Sequence, residues 1–304
     1  MRSSLGCCRT LPVGMTVGRL IAESGIARRD AELLTARALG RSRAHVLAHM
    51  TDPVAEADAE RARQLFERRR SGTPIAYVLQ SREFYGLELR VTQDVLIPRP
   101  ETELLVDLAL SVLEAGEPRA RLVSEAHTRA RVSCPGAPRV LDVGTGSGAI
   151  ALAVAANAPR AVITATDVSR PALAVARENA ARHGLSIEFV ASDGFAALGE
   201  ARFDVVISNP PYVAADDPHL SEGDVRHEPR LALVGGEDGL DLLRMIAAES
   251  PAHLVQAGWL LFEHGYDQAH ACRALLEAEG FERVASWRDL AGVERVSGGQ
   301  WRGC

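Results

Sequence analysis

"VLDVGTGSGAI", residues 140–150, decides the fold. Val140 to Val143 form a short, mostly apolar run. Gly144, Gly146 and Gly148 then alternate with Thr145 and Ser147, and an alanine-rich run opens at Ala149. This is strand, glycine loop, helix. The glycines let the backbone turn tightly and come close to a ligand. In an open α/β sheet such a ligand lies beyond the carboxyl ends of the strands.

Downstream of this unit the pattern repeats. "RVLDV", "AVITATD", "IEFV", "DVVIS" and "GWLLFEHG" read as strands, and "AIALAVAANA", "PALAVARENAARHG" and "GLDLLRMIAAESPAHL" as helices between them. Alternation of this kind gives a parallel sheet with helices on both faces. The tail, "FERVASWRDLAGVERVSGGQW", adds two further strands, so seven are expected.

Upstream the periodicity is helical. Thr16 is an N-cap candidate for "VGRLIAESGI", with Val17, Leu20 and Ile21 on one face. Helical runs follow at 28–40, 42–50 and 55–72, closed by Gly40 and Gly72. Short loops between them imply a small antiparallel bundle. "EFYGLELRVTQDVLIPRP" then alternates around a Tyr85-Gly86 turn and reads as a hairpin. The expected organisation is a leader over 1–14, a helical domain over 15–75, a β-hairpin linker over 76–98 and an α/β domain over 99–304. Residues 116–138 form a loop insertion within the last.

With 47% hydrophobic and 24% charged residues, the composition is that of an ordinary globular chain. No apolar run reaches the roughly 18 residues of a membrane span, and no signal peptide is evident. A cytoplasmic protein with no membrane partner is expected. Cys7, Cys8, Cys134, Cys272 and Cys304 show no CxxC spacing, so neither a disulfide framework nor a metal site is expected. The net charge of −6 argues against a chain whose main task is gripping nucleic acid. Arg61, Arg63, Arg68, Arg69 and Arg70 are interleaved with Glu60 and Glu67, which suits a solvated helix face.

The glycine loop alone leaves two ligands open. Asp167 follows Gly148 by 19 residues, at the end of the second strand, and can take both hydroxyls of a ribose. That fits a dinucleotide as well as S-adenosyl-L-methionine. Asp142, two residues before Gly144, tips the balance: a carboxylate is a poor neighbour for a pyrophosphate and a good one for a sulfonium and an ammonium. Asp193, in "VASDGF" before Gly194, is either an acceptor for the adenine amine or a capping residue.

"FDVVISNPPYV" (203–213) supplies the chemistry. Two prolines cannot continue a sheet ladder. They stiffen the loop, because the residue before each is pushed into an extended conformation. Asn209 then offers a side-chain carbonyl, Pro210 a backbone carbonyl, and Tyr212 a flat ring. Two fixed acceptors and a plate form a receptor for a planar NH2. Such a nitrogen is a weak nucleophile because its lone pair is delocalised. Acceptors on its N–H bonds favour localising that pair toward a methyl donor, so positioning and fixed dipoles carry the rate and no general base is required.

Asp142–Gly148 followed by Asn209–Tyr212 resembles the amino-group methyltransferases that use S-adenosyl-L-methionine. "GTPIAYVLQSREFYGLEL" (72–89), "VLIPRPETELLV" (95–106), "HEPRLALVGGEDGLD" (227–241) and "RDLAGVERV" (288–296) narrow the resemblance. They are similar to the protein-(glutamine-N5) methyltransferases of peptide chain release factors, the PrmC/HemK family. The resemblance covers roughly residues 15–300. It implies a helical domain that helps dock the substrate, a hairpin linker and a seven-stranded Rossmann-like methyltransferase domain. The reaction implied is methyl transfer to the glutamine of the Gly-Gly-Gln motif in class 1 release factors. A nucleic-acid amino-group methyltransferase is the rival, and a non-enzymatic scaffold a more remote one. A monomer without stably bound nucleic acid is expected.

Carried over by residue, Asp142, Gly144, Thr145, Gly146, Ser147, Gly148, Asp167, Asp193 and Gly194 hold the cofactor. Asn209, Pro210, Pro211 and Tyr212 hold the glutamine amide, with Asn209 also near the methyl donor and Asn209, Pro210 and Tyr212 serving catalysis. Arg99, Glu101 and Glu103 either shape the cofactor pocket or simply start a helix. Three departures stand out. Gly194 occupies a position where the family often has an aromatic, so adenine must be packed from elsewhere. The 116–138 stretch is longer than usual. The leader over 1–14 is unfamiliar, and Met15 is expected to be the initiator. A Gly-Gly-Gln also occurs in the chain's own tail, at 298–300, where two glycines ending a strand are expected rather than a self-methylation site.

Overall fold

The computed structural model describes residues 14–119 and 136–303. Most of the expected insertion and leader therefore lies outside the described residues. The chain divides into two compact units between Leu79 and Gln80.

The first unit is helical: α1 (Val17–Ala22), α2 (Arg28–Leu39), α3 (Arg43–Ala48), α4 (Glu56–Arg70) and α5 (Ile75–Leu79). The Thr16 hydroxyl caps α1 by accepting from Arg19 N at 3.3 Å, and Ser42 caps α3 through His45 N at 3.1 Å. Leu20, Leu34, Val46, Phe66 and Val78 close one core. Helix α5 differs from the hairpin expected from 76 onward. It is one turn long, too short to show a period in sequence, and it forms because Ala76, Tyr77 and Val78 are buried. Four of the five arginines of α4 are matched by acids, and the fifth, Arg68, donates to Tyr77 O at 3.4 Å. Arg63 donates to Glu56 and Glu60 at 2.8 and 3.1 Å, Arg70 meets Glu67 at 2.7 Å, Arg69 meets Asp30 at 2.8 Å, and Arg61 pairs with Asp58. This is a neutralised helix face rather than a basic patch.

The second unit opens with the hairpin, β1 (Arg82–Phe84) and β2 (Leu87–Leu89). Its strands are three residues each and no strand occupies 90–98. Tyr85 and Gly86 both have positive φ, +50° and +76°, as a two-residue type I′ turn requires. Glu103 accepts from Tyr85 N at 3.0 Å and Asp107 accepts from the Tyr85 hydroxyl at 2.6 Å. Both acids belong to α6 (Glu103–Ala115), which follows a single 3-10 turn over Pro100–Thr102.

Among the described residues the sheet has seven strands: β3 (Arg139–Val143), β4 (Val162–Asp167), β5 (Glu188–Ala191), β6 (Phe203–Ser208), β7 (Leu254–Glu263), β8 (Phe281–Arg288) and β9 (Glu294–Trp301). Their order is β5-β4-β3-β6-β7-β9-β8. The first five are parallel, and β9 runs antiparallel to both its neighbours. Successive residues of a strand face opposite sides, and here both sides are covered, as parallel sheets demand. Val140, Val205, Ile207 and Leu261 pack in one core with α6 and α7 (Ala149–Asn157). Leu141, Val206, Leu260 and Phe262 pack in the other with α9 (Asp241–His253) and α10 (Ala269–Ala278). Helix α8 (Arg170–His183) joins β4 to β5. No described helix is long and apolar enough to cross a membrane. The tail Gly-Gly-Gln lies within β9, where Gly298 and Gly299 pair with Leu261 and Leu260 and the Gln300 amide donates to Ala257 O at 2.9 Å.

Candidate active site

From β3 the chain winds outward to β4 and β5, then crosses back to lay β6 on the other side of β3. The crevice for a ligand opens at that reversal, beyond the carboxyl ends of β3 and β6. The register pairs Val143 with Ser208, and the Ser208 hydroxyl donates to Val143 O at 2.7 Å. The next residues are Gly144 and Asn209. The glycine loop and the Asn-Pro-Pro-Tyr loop therefore leave the sheet side by side, about 5 Å apart in the strand-pairing direction.

A cavity of about 380 Å³ lies at this point, within the range of small-molecule sites. Gly144, Thr145, Gly146 and Ser147 line one wall, Asp167 and Asp193 lie along the ends of β4 and β5, and Asn209, Pro210 and Pro211 form another wall. Gly144 and Gly146 have φ of +73° and +56°, and a Cβ built on either would meet only open space. The loop thus bares its backbone to the cavity. Asp167 Oδ2 accepts from Gly146 N and Oδ1 from Ser169 N, both at 2.8 Å. Each oxygen has a second lone pair left, which suits a diol. Burial raises the Asp167 pKa, opposed by these two backbone N–H groups.

Asp142 is placed otherwise than its expected contact with a cationic ligand suggests. It is fully buried and stands behind the loop. Its Oδ2 accepts from the Thr145 hydroxyl at 2.6 Å and from Ala151 N at 3.2 Å. Oδ1 has no partner among the described residues, and burial pushes the pKa up to about 7. In this position it orders the glycine loop and the first turn of α7.

Gly194 has φ +51°, and a Cβ there would lie 2.9 Å from the Met245 sulfur. Met245, with Leu242 and Ile246, lines the same end of the cavity. Phe195 turns into the core instead and stacks on His253 at 5.0 Å. A thioether and two aliphatic chains thus form the apolar wall where an aromatic was missed.

The Asn209 Nδ2 donates to the Thr102 hydroxyl at 3.1 Å. Its Oδ1 and the Pro210 carbonyl have no donor among the described residues. Two acceptors are thereby left to the cavity. On the far side of the loop a smaller space, about 190 Å³, is lined by Tyr212, Leu220, Val225 and Leu233, and shares Arg99, Asn209, Pro210 and Pro211 with the first. The Tyr212 hydroxyl donates to Glu263 Oε1 at 3.1 Å. Burial and the adjacent Glu263 push its pKa up, so the phenol is no base and the ring serves as a wall.

The 227–241 segment buttresses this loop. Val213 N donates to Leu233 O and Gly235 N to Val213 O, both at 2.9 Å. A Cβ on Gly235 would stand 2.4 Å from Pro211 O, and one on Gly239 2.3 Å from Tyr212 O. Only glycines allow backbone to lie against backbone so closely. Glu228 accepts from Ile97 N at 3.0 Å and pairs with Arg99. Arg99 lines both spaces, whereas Glu101 is exposed and Glu103 holds the hairpin turn. Thr102, Glu228, Met245 and Glu263 were not anticipated from sequence. Of these, Glu263 carried a signal: an acid closing the apolar strand "WLLFE".

Residues 17–79 match the PrmC N-terminal domain and residues 129–223 the methyltransferase small domain. The release factor glutamine methyltransferase of Bordetella pertussis is 50% identical over 281 residues, covering 92% of this chain and 97% of that protein. Among solved structures, the release factor-specific protein-(glutamine-N5) methyltransferase of Alicyclobacillus acidocaldarius is 29% identical, with a TM-score of 0.40 over 71% of this chain and all of that one. The hMettl16 catalytic domain, in complex with MAT2A 3'UTR hairpin 1, is 17% identical with a TM-score of 0.53 over 81% of each chain, a likeness of fold. Half-identity along nearly the full length of both proteins goes well beyond a shared fold, and the chain belongs to the release factor glutamine methyltransferase family.

Proposed function

We propose that this chain transfers the methyl group of S-adenosyl-L-methionine to the side-chain amide nitrogen, N5, of the glutamine in the Gly-Gly-Gln motif of class 1 peptide chain release factors. The observation that carries the reading is the pair of unengaged acceptors, Asn209 Oδ1 and Pro210 O, on a stiff loop beside the glycine loop. A primary amide has two N–H donors and fits such a pair.

The residues present suit the cofactor. Bared loop backbone, a half-buried diol acceptor in Asp167 and the Met245 wall match an amino acid, a ribose and a purine respectively. When bound, S-adenosyl-L-methionine supplies an electrophilic methyl on a sulfonium. The protein's part is to hold the glutamine nitrogen in line with it. Asn209 and Pro210 accept the two N–H bonds, and Tyr212 confines the amide plane. Fixed dipoles in an enclosed site do this without reorganising during the reaction. The helical unit is assigned to docking the release factor. The test is methyl transfer from a labelled donor to a release factor with Gly-Gly-Gln or Gly-Gly-Ala in its loop. Label only on the former supports the reading, and equal label on both refutes it.

A further inference from the structure

The Asn209 amide can serve as an acceptor only if its oxygen, not its NH2, faces the glutamine. We propose that Glu263, acting through Thr102, is the positioning residue that sets this orientation; the inference rests on the reading of the site above.

Thr102 sits in the 3-10 turn before α6 and is 4% exposed. A hydroxyl has one hydrogen to give and two lone pairs to receive with. One lone pair takes the Asn209 N–H at 3.1 Å, so the hydroxyl hydrogen must find an acceptor in a region closed to water. Glu263 ends β7 and is 2% exposed. Its Oε1 receives the Tyr212 phenol, and its Oε2 is buried with no hydrogen-bond partner among the described residues. Burial raises the Glu263 pKa; the neighbouring Thr102 and Tyr212 hydroxyls and the charge of Arg295 oppose this and favour the carboxylate, while Glu101 adds to it. A carboxylate only accepts. With Glu263 ionised and the Thr102 hydroxyl turned to its open Oε2, every bond in the chain would point one way: Asn209 N–H to Thr102, Thr102 O–H to Glu263 Oε2, Tyr212 O–H to Glu263 Oε1. The Asn209 oxygen is then left for the cavity. The same carboxylate holds Tyr212, the last residue of the Asn-Pro-Pro-Tyr loop, directly and would hold Asn209, the first, through Thr102.

Glu263→Gln keeps size and shape and replaces one acceptor by a donor. Thr102 then receives from residue 263 and turns its own hydrogen toward Asn209, which presents NH2 to the glutamine NH2. Turnover should fall on the order of 10²-fold, as for other losses of a preorganised partner, with cofactor affinity unchanged. Thr102→Val should lose turnover similarly, and Thr102→Ser, which keeps the hydroxyl, should restore it. In an Asn209→Ala background Glu263→Gln should cost little more, which a general structural role would not produce.

A readout independent of any substrate is available, because the chain has three asparagines, Asn157, Asn179 and Asn209. Selective 15N labelling of asparagine gives three side-chain NH2 signals, with that of Asn209 identified by its loss in Asn209→Ala. Glu263→Gln and Thr102→Val should each shift the Asn209 signal. Those of Asn157, bonded to Ala153 O, and Asn179, bonded to Arg90 O and Ser147 O, should stay. An Asn209 signal unmoved in folded Glu263→Gln, or normal turnover by that variant, overturns the inference. If Glu263→Gln does not fold, the same two readouts on Thr102→Val decide it. Failure of the wild-type protein to methylate a release factor refutes the proposed function instead and leaves the NMR result to judge the positioning role.

Discussion

Asn209→Ala isolates the chemical core of this account. The substitution deletes the Oδ1 acceptor and the N–H bonded to Thr102 at 3.1 Å. It leaves the glycine loop, Asp167 and the Met245 wall untouched. Loss of one preorganised partner in an enclosed site costs about 10²–10³ in turnover, or about 3–4 kcal/mol in the barrier. A second, smaller effect falls on the fold. The Thr102 hydroxyl, 4% exposed, loses its donor, which costs about 1–3 kcal/mol of stability. The loop itself should hold its course, because the prolines and the 2.9 Å bonds to 233–235 remain. Single-turnover rates at saturating release factor, calorimetric titration of the cofactor and a thermal melt separate these terms. The expected result is turnover down by about 10² or more, cofactor affinity unchanged and a modestly lower melting temperature. Turnover within a few-fold of wild type would refute the acceptor reasoning. An equal loss of cofactor affinity would place Asn209 in cofactor binding instead.

Asp167→Ala removes the diol acceptor and orphans Gly146 N and Ser169 N; cofactor binding should weaken by about 1–3 kcal/mol, and an unchanged dissociation constant by titration calorimetry would exclude the role. Gly235→Ala drives a Cβ to 2.4 Å from Pro211 O. Overpacking of this kind costs about 1–3 kcal/mol, and turnover should drop with cofactor affinity kept; normal kinetics would show that the buttress is dispensable. Asp142 makes a pH prediction. Its folded pKa is about 7, above an unfolded value of about 4, so the folded state binds the extra proton between them. Its contribution to stability is present at low pH and is lost as pH rises from about 4 to 7. Asp167 and Glu263 shift the same way, so the diagnostic is the difference between wild type and Asp142→Asn. Urea unfolding across that range should show a flatter pH slope in the variant, and equal slopes would contradict the buried-acid account.

The elements that could be read from sequence are those whose physics is local. The glycine loop announces itself because strand, turn and helix follow one another within 11 residues, 140–150. The Asn-Pro-Pro-Tyr loop is legible because two prolines after a buried strand have few other uses. Helix α5 is not legible because one turn has no period, and its residues Ala76, Tyr77 and Val78 are buried together. The spacing of Asp142 from Gly144 suits a cationic ligand but does not reveal its bonds to the Thr145 hydroxyl and Ala151 N, which come from residues that follow it in the loop and helix. Thr102 and Asn209 are 107 positions apart in sequence and meet only through the fold. No local pattern marks that pairing. Gly194 shows the converse: the missing aromatic was visible, but its replacement, Met245, comes from a helix some fifty residues on.

The central claim is that a glutamine amide is the methyl acceptor. The most direct measurement is peptide mass spectrometry, with fragmentation, of a class 1 release factor incubated with this protein and S-adenosyl-L-methionine. One added methyl on the side chain of the Gly-Gly-Gln glutamine is the predicted result. An unmodified glutamine under conditions where the protein binds the cofactor and methylates DNA or RNA would keep the Asn209–Tyr212 chemistry and contradict the substrate.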